Sequence, residues 1–318
     1  CMALKDLIEI SRYYGSNPDY VLAGGGNTSF KDRKTLYVKS SGIPLSTIDE
    51  SGFVALSRDK LSVMSIRKYG ENPVKREDEV KRDLLAARVD PSSNLRPSVE
   101  ASLHDLIEHP YIVHTHPHLV NALMCGKTGA AAVKRLFGTD AVYVPYTDPG
   151  YTLYMRVATE IKKRRSKALP PMIFLENHGV FVGGESPAAI KRTYDVMMKK
   201  IRSSVKKIPD AAHGAPDPKI ALVLPAVRML LSENGIKVGS FLSSALTAQF
   251  VKSAQSFAKV SSAFTPDQIV YCKAYALFVD EDGTADEIIA AFKTALLGFT
   301  KKNGYLPKII AFKSIGVA

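Results

Sequence analysis

The octapeptide Tyr111-Ile-Val-His-Thr-His-Pro-His118 decides how the rest of the chain is interpreted. Its apolar start predicts a short buried strand that leads into a His-x-His pair. Side chains two residues apart on a strand point the same way, so His114 and His116 can aim their imidazoles at one point. A divalent metal needs such a pair, whereas a lone histidine is more often a structural residue. Taken alone, the pair fits a metal site and a structural role equally.

The composition is that of a soluble globular protein. The chain has 318 residues, 46% of them hydrophobic and 23% charged, which is enough for one large or two ordinary domains. No apolar run approaches the roughly 20 residues that span a bilayer, and the first residues do not resemble a signal peptide. Three cysteines without close pairing favour a reducing compartment. We therefore expect a cytoplasmic protein with no membrane partner.

The formal net charge of +12 has two functional interpretations, a nucleic-acid partner and an anionic small substrate. Basic residues concentrate in residues 162–167 and 199–207. Both runs fall at expected helix ends or exposed helix faces, without interleaved aromatic residues, which favours solvated faces. We therefore expect no nucleic-acid partner.

Apolar periodicity predicts an α/β protein with a boundary near residue 208. The expected helices cover residues 3–14, 77–88, 98–108, 117–124 and 151–164, with a long one from Ser186 and Pro187 onward. The expected strands lie at residues 36–38, 53–56, 111–113, 141–144, 172–175 and 180–182. Ser98 is the expected N-cap of the helix over 98–108.

Residues 209–218 are rich in Pro, Gly and Asp and are the best candidate linker. The expected organisation is thus a domain over residues 1–208, a linker over 209–218 and a small α/β domain over 219–318. Expected elements after the linker are helices near 224–234, 243–259 and 285–301 and strands at 269–272 and 308–312. The apolar pattern after residue 272 allows the first of these strands to continue to residue 279.

Two segments could hold an anion. Glycines in the turn of residues 24–29 let backbone N–H groups approach an anion closely, and Asn27 and Ser29 add side-chain donors. This turn has neither the P-loop nor the dinucleotide-binding spacing, and an ordinary tight turn fits it as well. The hydroxyl groups of Ser40-Ser41-Gly42 likewise suit phosphate oxygens or any turn.

An acid and a third histidine complete the candidate residues. Glu100 follows Ser98 at the expected start of a helix. It is either an acid that the helix dipole stabilises there or a general base or metal ligand near the histidines. His104 shares its helix face and is either a partner of the site or a buried polar group. His178, in Asn177-His178-Gly179 between two apolar runs, could add a third imidazole. Three protein ligands with an open position are typical of catalytic zinc.

With these motifs in this order, residues 3–206 resemble the class II aldolase/adducin family of zinc-dependent sugar-phosphate aldolases. The resemblance implies an α/β/α three-layer domain with a mainly antiparallel central sheet. It also implies Zn²⁺ or another divalent metal on His114, His116 and His178, and Glu100 as the acid/base. The phosphate of a sugar phosphate would be held by Gly26, Asn27, Ser29, Ser41, Gly42 and Ser98. The family further implies a homotetramer with the site in a cleft between subunits.

The chain departs from the family pattern at two places. The phosphate site of the family often has two adjacent serines before the acid, and here Val99 replaces the second. The sequence therefore does not decide whether the substrate carries a phosphate. The tyrosine that donates a proton in fuculose-phosphate aldolases has no counterpart over residues 126–137. Tyr143, Tyr146 and Tyr151 lie nearby in sequence, without an assigned role.

Other functions fit the same scaffold. Sugar-phosphate epimerases of the family place Asp where Glu100 stands, so Glu100 favours an aldolase or a dehydratase; a decarboxylase is a further alternative. Non-enzymatic adducin-like modules lose the metal histidines, which this chain keeps. Residues 219–318 resemble the segment that follows the aldolase module in bifunctional proteins with a short-chain dehydrogenase. They carry no GxGxxG after an expected strand, so we do not expect the dehydrogenase within them.

Overall fold

The structure is a computed structural model that describes residues 2–164, 168–205, 211–232 and 235–318. The chain divides into two compact units, Cys1–Val205 and Lys206–Ala318. Of the expected linker, residues 209–210 lie outside the described residues, and residues 211–218 form neither helix nor strand. Residues 165–167 and 206–207, which belong to the two basic runs, also lie outside the described residues.

The first unit is built on a seven-stranded sheet in the order β3-β2-β1-β4-β7-β6-β5. Its strands are β1 (Asn27–Lys31), β2 (Thr35–Lys39), β3 (Phe53–Ser57), β4 (Tyr111–Thr115), β5 (Ala141–Val144), β6 (Met172–Leu175) and β7 (Gly179–Gly184). Every neighbouring pair is antiparallel except β5 with β6, which is parallel. The expected mainly antiparallel sheet is confirmed.

Helices pack on both faces of this sheet, which gives the expected three layers. They are α1 (Met2–Gly15), α2 (Arg58–Ile66), α3 (Pro73–Ala86), α4 (Ala101–Leu106), α5 (His118–Met124), α6 (Gly129–Phe137), α7 (Tyr151–Lys162) and α8 (Pro187–Ser204), with 3-10 turns at Leu45–Thr47, Glu50–Gly52 and Gly138–Asp140. Helices α1, α5, α6 and α8 contribute to one core, and α4 and α7 to the other. Helices α2 and α3 pack beside β2 and β3.

The inner strands bury both of their faces, which explains their nearly continuous apolar sequences. In β6, Phe174 joins the core under α8, whereas its neighbour Ile173 joins the core under α7. In β4, Val113 and Ile112 divide between the two cores in the same way. All five residues of β4 are buried, including His114. A histidine in so apolar a strand requires specific polar partners.

Two expectations for the first unit are corrected. The glycine-rich turn ends earlier than predicted, because β1 already begins at Asn27. Helix α4 begins at Ala101 with Glu100 as its N-cap residue, so Ser98 does not cap it. The reason is that the segment before the helix is extended: the Ser41 N–H donates to the Arg96 carbonyl oxygen at 2.8 Å, which pairs this segment with the end of β2.

The second unit is a small α/β domain, as expected. Its elements are α9 (Ile220–Leu231), α10 (Ala245–Val251), α11 (Ala254–Phe257), α12 (Pro266–Cys272), β8 (Leu277–Val279), α13 (Ala285–Asn303), β9 (Ile310–Phe312) and β10 (Gly316–Val317). The sheet has the order β10-β9-β8, with β8 parallel and β10 antiparallel to β9. Among the described helices of both units, none is long and apolar enough to cross a membrane.

Capping residues overturned two expectations in the second unit. Residues 269–272, predicted as a strand, are helical because the Thr265 side chain accepts from the Gln268 N–H and Pro266 occupies the first turn. The helix expected over 243–259 is divided in two, because Ser253 caps a new helix at Ala254. In both places a local capping group outweighed the apolar pattern.

Candidate metal centre and active site

Three imidazoles meet at one end of the central strands. His114 belongs to β4, His116 follows the end of that strand, and His178 occupies the turn before β7. The Nε2 atoms of His114 and His116 are 3.0 Å apart. One nitrogen from each of the three rings lies within 4.8 Å of the others, and the group could hold a metal ion. The structure thus brings together the three predicted ligands.

Strand register explains why these side chains meet. Antiparallel pairing sets Asn27 of β1 opposite His114, and His114 opposite Phe181 of β7. The Phe181 ring stacks on the His114 ring, with centroids 4.0 Å apart and planes 18° from parallel. The turn that carries His178 is closed by its N–H, which donates to the Leu175 carbonyl oxygen at 3.3 Å. The pairing of β1, β4 and β7 therefore brings Asn27 and the histidines together at one end of these central strands.

Two glycines permit the close packing around the histidines. Gly26 has φ +70°, and a Cβ there would lie 2.6 Å from the His114 carbonyl oxygen. A Cβ on Gly179 would lie 2.5 Å from the Thr115 carbonyl oxygen and 2.6 Å from Cδ2 of His116. Both distances are far below van der Waals contact, so only glycine fits. Gly26 thus shapes the loop beside β4, whether or not it also contacts an anion.

Glu100 lies among the histidines. Its Oε2 is 3.5 Å from Nε2 of His114, and its Oε1 is 3.4 Å from Nε2 of His178. The amide of Asn27 donates to Oε2 through Nδ2 at 2.7 Å. The residue is only 7% exposed, and within the described parts of the chain Oε1 accepts no hydrogen bond. A buried carboxylate oxygen without a donor is costly, which makes it a candidate functional group.

Burial keeps two of the three imidazoles neutral. Burial holds the pKa of His114 well below its usual range, with the neighbouring His116 as a further cause. Burial lowers the pKa of His178 to about 3, and the Glu100 carboxylate offsets only part of this shift. Metal ligation requires neutral imidazoles, so this protonation state is the one that a metal needs.

The donor set fits a divalent cation. The Nδ1–H of His114 donates to the Val180 carbonyl oxygen at 3.0 Å, which leaves the Nε2 lone pair directed at the other histidines. Such a backbone acceptor on the second nitrogen is characteristic of histidines that bind metals. No described lysine or arginine lies within ion-pair distance of the buried Glu100 carboxylate, and a divalent ion would supply that positive charge. The triad could therefore hold a divalent ion.

The remaining predicted residues divide into an open rim and a buried layer. Ser41 and Gly42 are exposed, and Gly42 has φ +89°, which suits the turn after β2. Ser98 is half-buried, and its Oγ accepts from the Asn27 amide at 3.3 Å. Ser29 is fully buried, and its hydroxyl lies 2.7 Å from Nδ1 of His104. The rim residues could touch an anion, whereas Ser29 lies behind the site.

Lys39 is a functional candidate that the sequence analysis missed. It is 5% exposed and directly precedes the Ser40-Ser41-Gly42 turn, and its Nζ donates to the Ser40 carbonyl oxygen at 3.4 Å. Burial lowers the pKa of Lys39, and the Glu100 carboxylate opposes that shift. A buried cation at this turn would favour an anionic substrate. The available signal was the lysine that interrupts an apolar strand just before a hydroxyl-glycine turn.

The nearby tyrosines have partners elsewhere. The Tyr143 hydroxyl bonds to Glu176, whereas the Tyr146 hydroxyl donates to Asp148 at 3.0 Å. The Tyr151 hydroxyl lies 3.5 Å from the Arg67 carbonyl oxygen. His118 is exposed at the start of α5 and stays outside the histidine triad, as the sequence analysis expected. A tyrosine proton donor is therefore not assigned within this chain.

The three-layer fold and the histidine triad define the chain as a candidate metalloprotein. Residues 5–202 match the family model of the Class II Aldolase and Adducin N-terminal domain, and the chain belongs to this family. The structure of the N-terminal Class II Aldolase domain of a conserved protein from Thermoplasma acidophilum is similar, with 27% identity and a TM-score of 0.55. That similarity covers 64% of this chain and 93% of the other.

A longer relative extends the likeness into the second unit. The uncharacterized oxidoreductase YuxG of Bacillus subtilis (strain 168) is 26% identical in an alignment 299 residues long, which covers 87% of this chain. The aligned part is 42% of that relative, so this chain spans less than half of its length.

Replacing Gly179 with alanine is expected to damage the metal centre. The new methyl group would press on Thr115 and displace the His116 ring, at a cost of about 1–3 kcal/mol in unfolding free energy. We predict that Gly179→Ala binds far less than one divalent ion per chain, measured by elemental analysis after dialysis against zinc.

Gly70→Ala is the matched control, because a Cβ at Gly70 meets no atom within 4 Å. It should bind as much metal as the unaltered protein. Full metal occupancy in Gly179→Ala would contradict the packing described for His116.

Proposed function

We propose that the first unit is a metal-dependent aldolase that cleaves and forms a carbon–carbon bond in a ketose 1-phosphate. The products of cleavage would be dihydroxyacetone phosphate and an aldehyde such as lactaldehyde. One observation carries the proposal: a buried carboxylate with a free oxygen lies 3.4–3.5 Å from two imidazoles of a histidine triad. Membership in the Class II Aldolase and Adducin family supports the same chemistry.

His114, His116 and His178 would hold Zn²⁺ or another divalent ion. Such an ion supplies Lewis acidity to a substrate carbonyl and so favours negative charge on the fragment that keeps the bonding electrons. The protein's own contribution is to present neutral imidazoles from fixed positions and to keep water away from them. His114, for example, is fully buried between Phe181 and the polar groups of the site.

Glu100 is the proposed acid and base. In cleavage the C3–C4 bond of the ketose phosphate breaks, and its electron pair stays on the three-carbon fragment. The C4 hydroxyl proton passes to solvent as the aldehyde forms, and Glu100 takes up a proton from solvent and delivers it to C3. In synthesis Glu100 removes that proton from C3, and solvent protonates the oxygen of the new C4 hydroxyl group. Asn27 donates to Oε2 of the carboxylate, so the unpaired Oε1 is the oxygen left to carry the proton.

The phosphate of the substrate would bind at the rim formed by Ser41, Gly42 and Ser98. Lys39 below this rim adds the positive charge that an anion subsite needs. Val99, which stands where the family often has a second serine, is 62% exposed and offers no hydroxyl group. We propose that Lys39 compensates for this missing donor. Of the other expected contacts, Gly26 and Asn27 lie beside this rim, and Ser29 supports it from behind.

A homotetramer and a cytoplasmic location are further proposals. They follow from the family resemblance and from the three cysteines, of which Cys125 and Cys272 are free thiols. The tetramer bears on mechanism, because a proton donor from a neighbouring subunit would account for the tyrosines of this chain being bonded elsewhere.

The acid/base assignment is tested with Glu100→Gln. We expect the unaltered, zinc-loaded protein to consume dihydroxyacetone phosphate in the presence of lactaldehyde. The variant should lose about 10²- to 10⁴-fold in kcat, the usual contribution of a general base. It should keep its metal, because the three histidines are unchanged. Glu108→Gln, an exposed acid just after the end of α4, is the control and should retain full activity.

Two outcomes would count against this assignment. Unchanged turnover in Glu100→Gln would refute the acid/base role. Turnover of a pentulose phosphate without any aldol product would instead favour an epimerase on the same scaffold.

The anion subsite is tested with Lys39→Met, which keeps the length of the side chain and removes its charge. Charge-assisted hydrogen bonds contribute about 1.5–3 kcal/mol, so KM for dihydroxyacetone phosphate should rise roughly 10- to 100-fold. KM for unphosphorylated dihydroxyacetone should change little. Lys34→Met alters an exposed lysine between β1 and β2 and serves as the control. Equal effects on both ketones would contradict phosphate binding by Lys39.

A further inference from the structure

We propose that His104 is a positioning residue that orients the Glu100 carboxylate through the amide of Asn27. The proposal rests on the proposed function, in which Glu100 carries the proton. His104 is not one of the three candidate metal ligands. Its ring lies in the buried layer behind them, where its hydrogen-bond partners are Ser29 and Asn27.

The four side chains form one line of hydrogen bonds. The Ser29 hydroxyl lies 2.7 Å from Nδ1 of His104. Nε2 of His104 bonds to Oδ1 of Asn27. The Asn27 amide then donates from Nδ2 to Oε2 of Glu100 at 2.7 Å. The four residues are all between 0% and 7% exposed, so water does not substitute for any of these bonds.

The chemistry of the groups fixes the direction of every bond. An ionised carboxylate only accepts hydrogen bonds, so the Asn27 nitrogen must face Glu100 and its oxygen must face His104. That oxygen also only accepts, so Nε2 of His104 must carry the proton. Nδ1 is then the acceptor, and the Ser29 hydroxyl is its donor. The line has a single consistent arrangement, and it ends with a donor pointed at Glu100.

His104 is held in place on its other sides. Its ring meets the edge of Phe181, with centroids 5.4 Å apart, and Phe181 stacks on the His114 ring. The buried Lys31 donates to the backbone carbonyl oxygens of His104 and Ile107 at the end of α4. The contact with Phe181 of β7 limits rotation of the His104 ring, and the bonds from Lys31 anchor the backbone that carries it.

The expected consequence is a fixed assignment of the two Glu100 oxygens. With Nδ2 of Asn27 on Oε2, only Oε1 is open to a substrate proton. Without His104, the Asn27 amide has no partner for its oxygen and can turn away from Glu100. The carboxylate then samples orientations in which neither oxygen is aligned with the substrate, which lowers the rate of proton transfer more than it lowers substrate affinity.

The test compares His104→Leu, which removes both ring nitrogens, with His104→Gln, whose amide N–H can replace Nε2–H. We expect His104→Leu to lower kcat for the aldol reaction about 10- to 100-fold, with KM and bound metal nearly unchanged. His104→Gln should recover most of kcat. His109→Leu removes another buried histidine of this unit, whose Nε2 lies 3.3 Å from the Pro170 carbonyl oxygen, and controls for loss of stability alone.

A double-mutant comparison separates positioning from general damage. If His104 acts through Asn27, then adding His104→Leu to Asn27→Ala should lower kcat by no more than about twofold. Independent, multiplying losses would overturn the proposal, as would equal losses in His104→Leu and His104→Gln.

A spectroscopic readout keeps this inference separate from the proposed function. Long-range ¹H–¹⁵N spectra of the histidine rings should show His104 with its proton on Nε2. A crystal structure of His104→Leu should show the Asn27 amide turned from Glu100. If the unaltered protein catalyses no aldol reaction, the proposed function fails while these two results still decide the inference. A proton on Nδ1, or an unchanged Asn27–Glu100 contact, would overturn it.

Discussion

The antiparallel pairing of β4 with β1 and β7 is the constraint on which the rest of the site depends. It sets Asn27, His114 and Phe181 side by side on three neighbouring strands. Because side chains alternate between the faces of a strand, a slip of one residue would send His114 to the opposite core. The apolar residues on both sides of β4 prevent such a slip, since either face must remain buried. Core packing therefore fixes the position of the polar groups.

The electrostatics of the site follow from this burial. Burial keeps His114 and His178 neutral, and no described arginine or lysine lies within ion-pair distance of the Glu100 carboxylate. Burial lowers the pKa of Lys39, and the Glu100 carboxylate lies close enough to oppose that shift. A divalent ion resolves both conditions, because it needs neutral nitrogen donors and it offsets a nearby carboxylate. The proposed anionic substrate would need a further cation for its phosphate, and Lys39 is the proposed one.

Local spacing was sufficient to predict the histidines and the fold class. His114 and His116 are two residues apart at a strand end, and His178 stands between two apolar runs, so their convergence follows from a simple alternation rule. The capping signals at Thr265 and Ser253 were present in the sequence but were outweighed by apolar patterns, which led to a wrong strand and an undivided helix. In these segments the two kinds of local signal compete, and capping prevailed.

The partners of the site could not be derived from spacing. Ser29 was assigned to an anion because it lies in a glycine-rich segment, yet its hydroxyl faces His104, 75 residues further along the chain. Lys39 was overlooked because its neighbour Glu100 is brought near only by the pairing of the extended segment before α4 with the end of β2. Such contacts depend on register between distant strands, which a single sequence specifies through the whole core rather than through any local motif.

The most direct test of the central claim is hydrogen exchange between solvent and dihydroxyacetone phosphate, without any aldehyde present. We predict that the zinc-loaded protein in deuterium oxide replaces one hydrogen on the hydroxymethyl carbon of dihydroxyacetone phosphate, as monitored by proton NMR. Removal of the metal, or the substitution Glu100→Gln, should nearly abolish the exchange. Exchange at an unchanged rate in Glu100→Gln, or metal-loaded protein that binds the substrate and exchanges no hydrogen, would contradict the assignment of this site.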